Sequence, residues 1–196
     1  MLARLQVSAG SASVVTIEDD VVAQVAAMIP QITKGDVKEG GEILSRAIGL
    51  LRPEGASVAG DVEIWARLGQ AGLAIKSFGA AIDCCEQASA SGKALEGSAS
   101  PQNLYWSGVA ACAYGNSVVG LVRPAQQDES VQNTLKQKAF ERFVEAAKYG
   151  RRANRGDIVC YAAKCFWNAG TSFMGSASAR KILVKPLEVI LEAARA

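Results

Sequence analysis

Apolar residues recur at helical spacing along this chain, separated by short polar or glycine-rich breaks. Val21, Val22, Val25, Met28, Ile29 and Ile32 fall three or four residues apart and predict a first helix over about 18–33. Thr16 ahead of Glu18, Asp19 and Asp20 reads as its start, a capping hydroxyl followed by carboxylates that oppose the positive helix end. Pro30 lacks a backbone donor and should kink or end that helix. After a Gly35-Asp36 turn, Val37, Ile43, Leu44, Ala47, Ile48 and Leu51 predict a second helix closed by Pro53. Residues 53–61 form a connecting loop ending on Asp61, a residue suited to cap the next helix.

The same pattern continues. A helical pair spans about 62–88, and small residues over 89–102 read as a linker. A long helix runs from Asn103 to about Leu121, followed by an irregular insert from Arg123 to Asn133 and a return helix over about 131–150. Asp157 should cap a further helix carrying Ile158, Val159, Tyr161, Ala162, Cys165, Phe166 and Trp167. Residues 170–178 make a turn, and a last helix runs from Arg180 to Ala196, with Pro186 tolerated at the cost of a kink. No run alternates with period two, so no strand is predicted. The expectation is an all-α chain: a flexible leader over 1–15, then one domain over 16–196 built from antiparallel hairpins at about 18–52, 62–88, 103–150 and 157–194.

One hairpin carries a recognisable signature. Trp65 leads it, Leu68-Gly69 follow, and Phe78, Ala81 and Ala88 fall at the later fixed offsets. This run resembles a tetratricopeptide (TPR) unit, a helix-turn-helix in which small residues admit the bulky side chains of the paired helix. The first hairpin aligns with it at an offset of 41 residues: Gly40, Leu44 and Ala47 match Ala81, Cys85 and Ala88, and Val37 matches Phe78. Ala139, Phe143 and Ala146 repeat the second-helix spacing. Such units bury their apolar faces on neighbours, so the resemblance implies a right-handed solenoid that holds other proteins.

Composition narrows the class. Apolar residues make up 49% of the 196, charged residues 20% and aromatic residues 6%, which is a globular, alanine-rich balance. Short apolar stretches and the lack of a signal-peptide core point to a soluble intracellular chain with no membrane role. The net charge of +2 hides an asymmetry. Residues 1–98 hold 8 cations and 12 carboxylates (net −4), and residues 99–196 hold 13 and 7 (net +6). The second half therefore suits an acidic partner, or head-to-tail contact between chains.

Candidate chemistry is sparse. The chain has no histidine, and Cys84, Cys85, Cys112, Cys160 and Cys165 never take the Cys-x-x-Cys spacing of a zinc or redox site. All five are expected to act as small buried hydrophobes. Gly115-x-x-x-x-Gly120 is followed by Leu-Val, without the Lys-Ser/Thr of a phosphate loop. No catalytic, cofactor-binding or metal-ligating residue is assigned, and the chain is expected not to be an enzyme. Trp65, Trp106 and Trp167 are expected in the core. From Lys136 to Arg155 seven cations face two carboxylates, and Lys148, Arg151, Arg152 and Arg155 form the candidate partner-binding patch. Its plainer role is a solvated helix face that complements the helix dipole. Nucleic acid is not expected, because the nearby aromatics are placed on buried faces and do not interleave with the cations.

A narrower likeness covers residues 62–194. Leu104-Tyr105-Trp106, the Ala139/Phe143/Ala146 helix, Tyr161-Ala162-Ala163-Lys164-Cys165-Phe166-Trp167 and Leu183-Val184-Lys185-Pro186-Leu187 recur in the order seen in one group of solenoids. That succession is similar to the N-terminal arrays of the large TPR-containing cilia- and flagella-associated proteins of the central-pair apparatus. The chain departs from them in its length and in the insert near 122–133. The likeness implies a scaffold in a multi-subunit axonemal assembly, cytoplasmic and cytoskeletal, beside the acidic tails of a microtubule surface. The other function considered is a soluble TPR adaptor that binds short peptides of cytosolic partners, for which Lys76 and Lys164 are sparse.

Overall fold

Four of the eight helices among the described residues begin on a side-chain cap. The computed structural model describes residues 17–52, 61–95 and 99–195, and every regular element there is helical. The fold of these residues is all-α. The predicted leader, most of the 53–61 loop, the Thr16 cap and the side chains of Glu18 and Asp19 lie outside the described residues.

Helix α1 spans Ile17–Ile32, and Pro30 sits in its last turn, two residues before the helix ends. Asp36 then caps α2 (Val37–Leu51), its Oδ1 accepting from the Glu39 amide at 2.8 Å. Gly40, Leu44 and Ala47 are buried, as the 41-residue offset predicts. Val37 departs from that register: it opens the helix with 66% of its surface exposed, whereas Phe78 is half-buried. Asp61 caps α3 (Val62–Ala74), accepting from the Ile64 amide at 3.0 Å. A left-handed residue, Lys76 at φ 59°, turns the chain into α4 (Phe78–Ala94).

The linker expected over 89–102 is mostly helix, since α4 continues to Ala94. Weak helix formers are held there by packing. A Cβ on Gly92 would come 2.9 Å from Ser107 Oγ of α5, a close approach that only small residues permit. Ser100 caps α5 (Pro101–Gly120), accepting from the Asn103 amide at 3.1 Å, with Pro101 at the first position. Helix α5 is buried nearly all round because it lies against α3, α4, α6 and α7.

The insert is shorter than predicted. Gln127 folds it by accepting from the Arg123 amide at 2.6 Å and donating to the Leu121 carbonyl at 3.1 Å, so α6 (Glu129–Arg152) begins at Glu129. Helix α7 covers Gly156–Gly170, a single 3₁₀ turn follows at Thr171–Phe173, and Ser176 caps α8 (Ala177–Ala194). Asp157 does not cap α7. It lies inside the first turn, and the flanking cap residue is Arg155. Helix α8 begins three residues before its expected start and runs through Pro186; the carbonyl that loses its donor belongs to Ile182, whose residue is exposed.

Each helix packs on its chain neighbours, and α1, α3, α5 and α7 also touch one another in succession. The last pair differs from a simple hairpin, because α8 packs more extensively on α6 than on α7. The core runs through Trp65, Leu68, Phe140, Phe143 and Phe166, all almost fully buried. One of the three tryptophans departs from the expected core, and a second packs against it in part. Trp167 is 53% exposed, and Trp106 is half-buried with its Nε1 unpartnered among the described residues.

Candidate partner-binding surfaces

The end of α6 presents the cations singled out in the sequence. Lys148, Arg151 and Arg152 are three and four residues apart, so they share the exposed face of the last two turns. None of the three forms an ion pair with a described residue. Their charge lies at the negative end of the helix, where it is favourable. Helix α6 then ends in a Schellman turn. Asn154 takes φ 53°, the Asn154 amide donates to the Arg151 carbonyl at 3.0 Å, and the Arg155 amide to the Gly150 carbonyl at 2.8 Å.

That turn separates Arg155 from the other three. By sequence it would continue the same face, but the left-handed residue before it sends the side chain elsewhere. Its guanidinium stacks 4.1 Å from the Tyr105 ring centroid and grips Asp157 with Nε at 2.9 Å and one terminal nitrogen at 2.7 Å. The hydrogen bonds from Arg155 hold the Asp157 carboxyl below its ordinary range.

Cations of α6 meet aromatic rings, of which Tyr114 and Phe173 are buried as expected. Besides Arg155 on Tyr105, Arg142 lies 4.5 Å and Lys138 5.3 Å from the centroid of buried Tyr114, and Lys136 5.5 Å from that of Phe173. These stem-and-ring contacts tie α6 to α5 and to the 3₁₀ turn. Tyr114 in turn donates to Glu86 of α4 at 3.2 Å, and Arg142 pairs with Glu145 at 2.7 Å. The cations therefore serve the helix packing on one flank and stand unpaired on the other.

Two open grooves flank Arg155. The larger, about 400 Å³, runs across the successive odd helices, with Leu73 of α3, Tyr105 and Val109 of α5, and Ile158 and Tyr161 of α7 along its walls. Tyr161 is 47% exposed, and its hydroxyl accepts from Asn116 Nδ2 at 3.4 Å. Partial burial and the neighbouring Cys165 push this phenol up to about 12, so at neutral pH it keeps its proton. The smaller groove, about 270 Å³, lies between the α6–α7 turn and the end of α8, with Arg151 and Arg155 on one wall and Val159, Cys160 and Ala193 on the other.

The cysteines divide accordingly. Cys84, Cys85, Cys112 and Cys165 are buried, and burial pushes the Cys84 thiol up to about 12 and those of Cys85 and Cys112 higher still. Cys160 is exposed, against expectation, because it sits on the outer face of α7 one residue from the buried stripe. Periodicity marks a stripe and leaves its width open, so it does not separate Cys160, Tyr161 and Trp167 from their buried neighbours.

Among the described residues no three His, Cys, Asp or Glu side chains lie where they could hold a metal ion, and no helix is long and apolar enough to cross a membrane. A scan against protein-family models and a search of curated proteins return no match to this chain.

Proposed function

We propose that this chain is a scaffold that holds other proteins within a large assembly, with its helical pairs stacked as a TPR-like right-handed solenoid. The observation that supports it most directly is the groove of about 400 Å³ across α3, α5 and α7. Exposed or half-buried Tyr161 and Tyr105 give it the amphipathic aromatic surface that protein interfaces favour. At the end of α6, Lys148, Arg151 and Arg152, without an ion pair among the described residues, offer a separate positive surface that suits an acidic partner. The likeness over residues 62–194 is the ground for the assembly proposed: the central apparatus of the axoneme, beside acidic microtubule tails. No catalytic role is part of this proposal.

The groove itself favours a second reading, a soluble adaptor that takes up short peptides of cytosolic partners. The two readings separate in one experiment. The chain is fused to a proximity-labelling enzyme in ciliated cells, alongside a Tyr161→Ala variant, and labelled proteins are identified by mass spectrometry. Enrichment of central-apparatus proteins, reduced in the variant, is expected. Labelling confined to cytosolic chaperones would overturn the axonemal placing and leave the adaptor.

A further inference from the structure

The smaller groove has a cation on its wall that no described residue pairs. Arg155 is neutralised by Asp157, to which it donates two hydrogen bonds. Arg151 on the same wall has no anionic partner among the described residues, and Lys148 and Arg152 stand beside it unpaired. The facing wall is apolar, made by Val159 and Ala193.

We infer that this groove is a docking site for an acidic peptide segment, with a glutamate carboxylate against Arg151 and its methylenes on Val159 and Ala193. The inference rests on the scaffold reading and gives its acidic partner a place. A groove of about 270 Å³ holds a few side chains, which suits a peptide. Single-stranded nucleic acid fits less well, because it needs open aromatic faces on which bases stack. The rings beside these cations, Tyr105 and Tyr114, already carry guanidinium groups on their faces.

Cys160 supplies the test, since it lines the groove and is the one exposed cysteine of the five. The full chain is treated with a maleimide in low salt, and alkylation of Cys160 is timed by mass spectrometry with and without a short glutamate-rich peptide. The peptide should slow alkylation about tenfold when present at about ten times its Kd. That protection should vanish near 1 M salt, where the Debye length falls to about 3 Å. It should also be lost in the Arg151→Glu/Arg152→Glu variant and in Ala194→Asp, which puts a carboxylate of the chain's own at the groove. All three positions are exposed, so the variants are expected to keep the native circular dichroism spectrum, with Tm lowered by a few degrees because carboxylates stand at helix C-termini. No protection by the peptide, protection that survives the double charge reversal, or equal protection by a single-stranded oligonucleotide would overturn the inference. Proximity labelling at the larger groove is read out separately, so failure here leaves the scaffold reading standing.

Discussion

Arg155 and Tyr105 stack at 4.1 Å across the junction of the α6–α7 turn with α5, while the same guanidinium holds both carboxylate oxygens of Asp157. The contact fixes the start of α7 against the central helix and forms the divide between the two grooves. Arg155→Ala should lower the Tm, and Arg155→Lys should not restore it, because one ammonium cannot stack on the ring and span two oxygens together. Salt should weaken the carboxylate pairing and spare the stacking. Thermal melts in low and high salt check this; equal Tm values for all three proteins would show that the contact is inert.

Adjacent glycines in α2 should respond oppositely to the same change. A Cβ on Gly40 would lie well inside contact distance of the Ile32 carbonyl oxygen, a backbone atom that cannot swing aside, with Ile75 Cγ2 at 3.3 Å. Gly40→Ala should therefore destabilise by about 1–3 kcal/mol. A Cβ on Gly41 meets nothing within 4 Å, so Gly41→Ala should stabilise by about 0.5–1 kcal/mol through helix propensity alone. Urea titrations of the two variants measure both signs, and the same sign for both would contradict the close approach of α1 to α2.

Much of this packing can be read in the sequence, and the exceptions share a cause. The small-residue register Gly40, Leu44, Ala47 against Ala81, Cys85, Ala88 places six buried residues, because spacing alone puts them on one helix face. Asp36 and Asp61 announce their helices because a cap acts within three residues. Asp157 looks the same in sequence and fails, since the left-handed turn at Asn154 starts α7 two residues early and delivers the carboxylate to Arg155. The same turn explains the candidate patch: Lys148, Arg151 and Arg152 stay together, and Arg155 leaves. Neither the extension of α4 to Ala94 nor the exposure of Trp167 is a local property, as each depends on which neighbour covers which flank.

The two left-handed residues differ in strain. Lys76 (φ 59°) and Asn154 (φ 53°) occupy equivalent Schellman positions, with the Ser77 amide donating to the Gly72 carbonyl and the Arg155 amide to the Gly150 carbonyl, both at 2.8 Å. A lysine side chain clashes there, whereas asparagine tolerates the region. Lys76→Gly should thus stabilise by about 1 kcal/mol, and Asn154→Gly by clearly less. Tm shifts of the two variants, compared under one condition, test the ordering. A loss of stability on Lys76→Gly would mean that the lysine side chain makes a contact worth more than the strain.

Alkaline pH should reveal the buried thiols. Cys84 is pushed from 9.0 up to about 12, chiefly by burial, and Cys85 and Cys112 are raised further for the same reason. The folded-state values lie above the unfolded ones. Below about pH 9 both states hold the proton and the thiols leave stability independent of pH. Between about 9 and 12 the unfolded chain releases protons that the folded chain keeps, so stability falls as pH rises, by up to about 1.4 kcal/mol per pH unit for each such thiol. The contribution of one thiol is read from the difference in slope between proteins. Cys84→Ala removes one of the thiols, and its stability should decline less steeply than the wild type's from pH 9 to 11 in urea titrations. Cys160→Ala, at an exposed position, serves as the control for loss of a thiol outside the core. Parallel lines for all three proteins would mean that Cys84 reaches solvent in the native state, and maleimide would then label it together with Cys160.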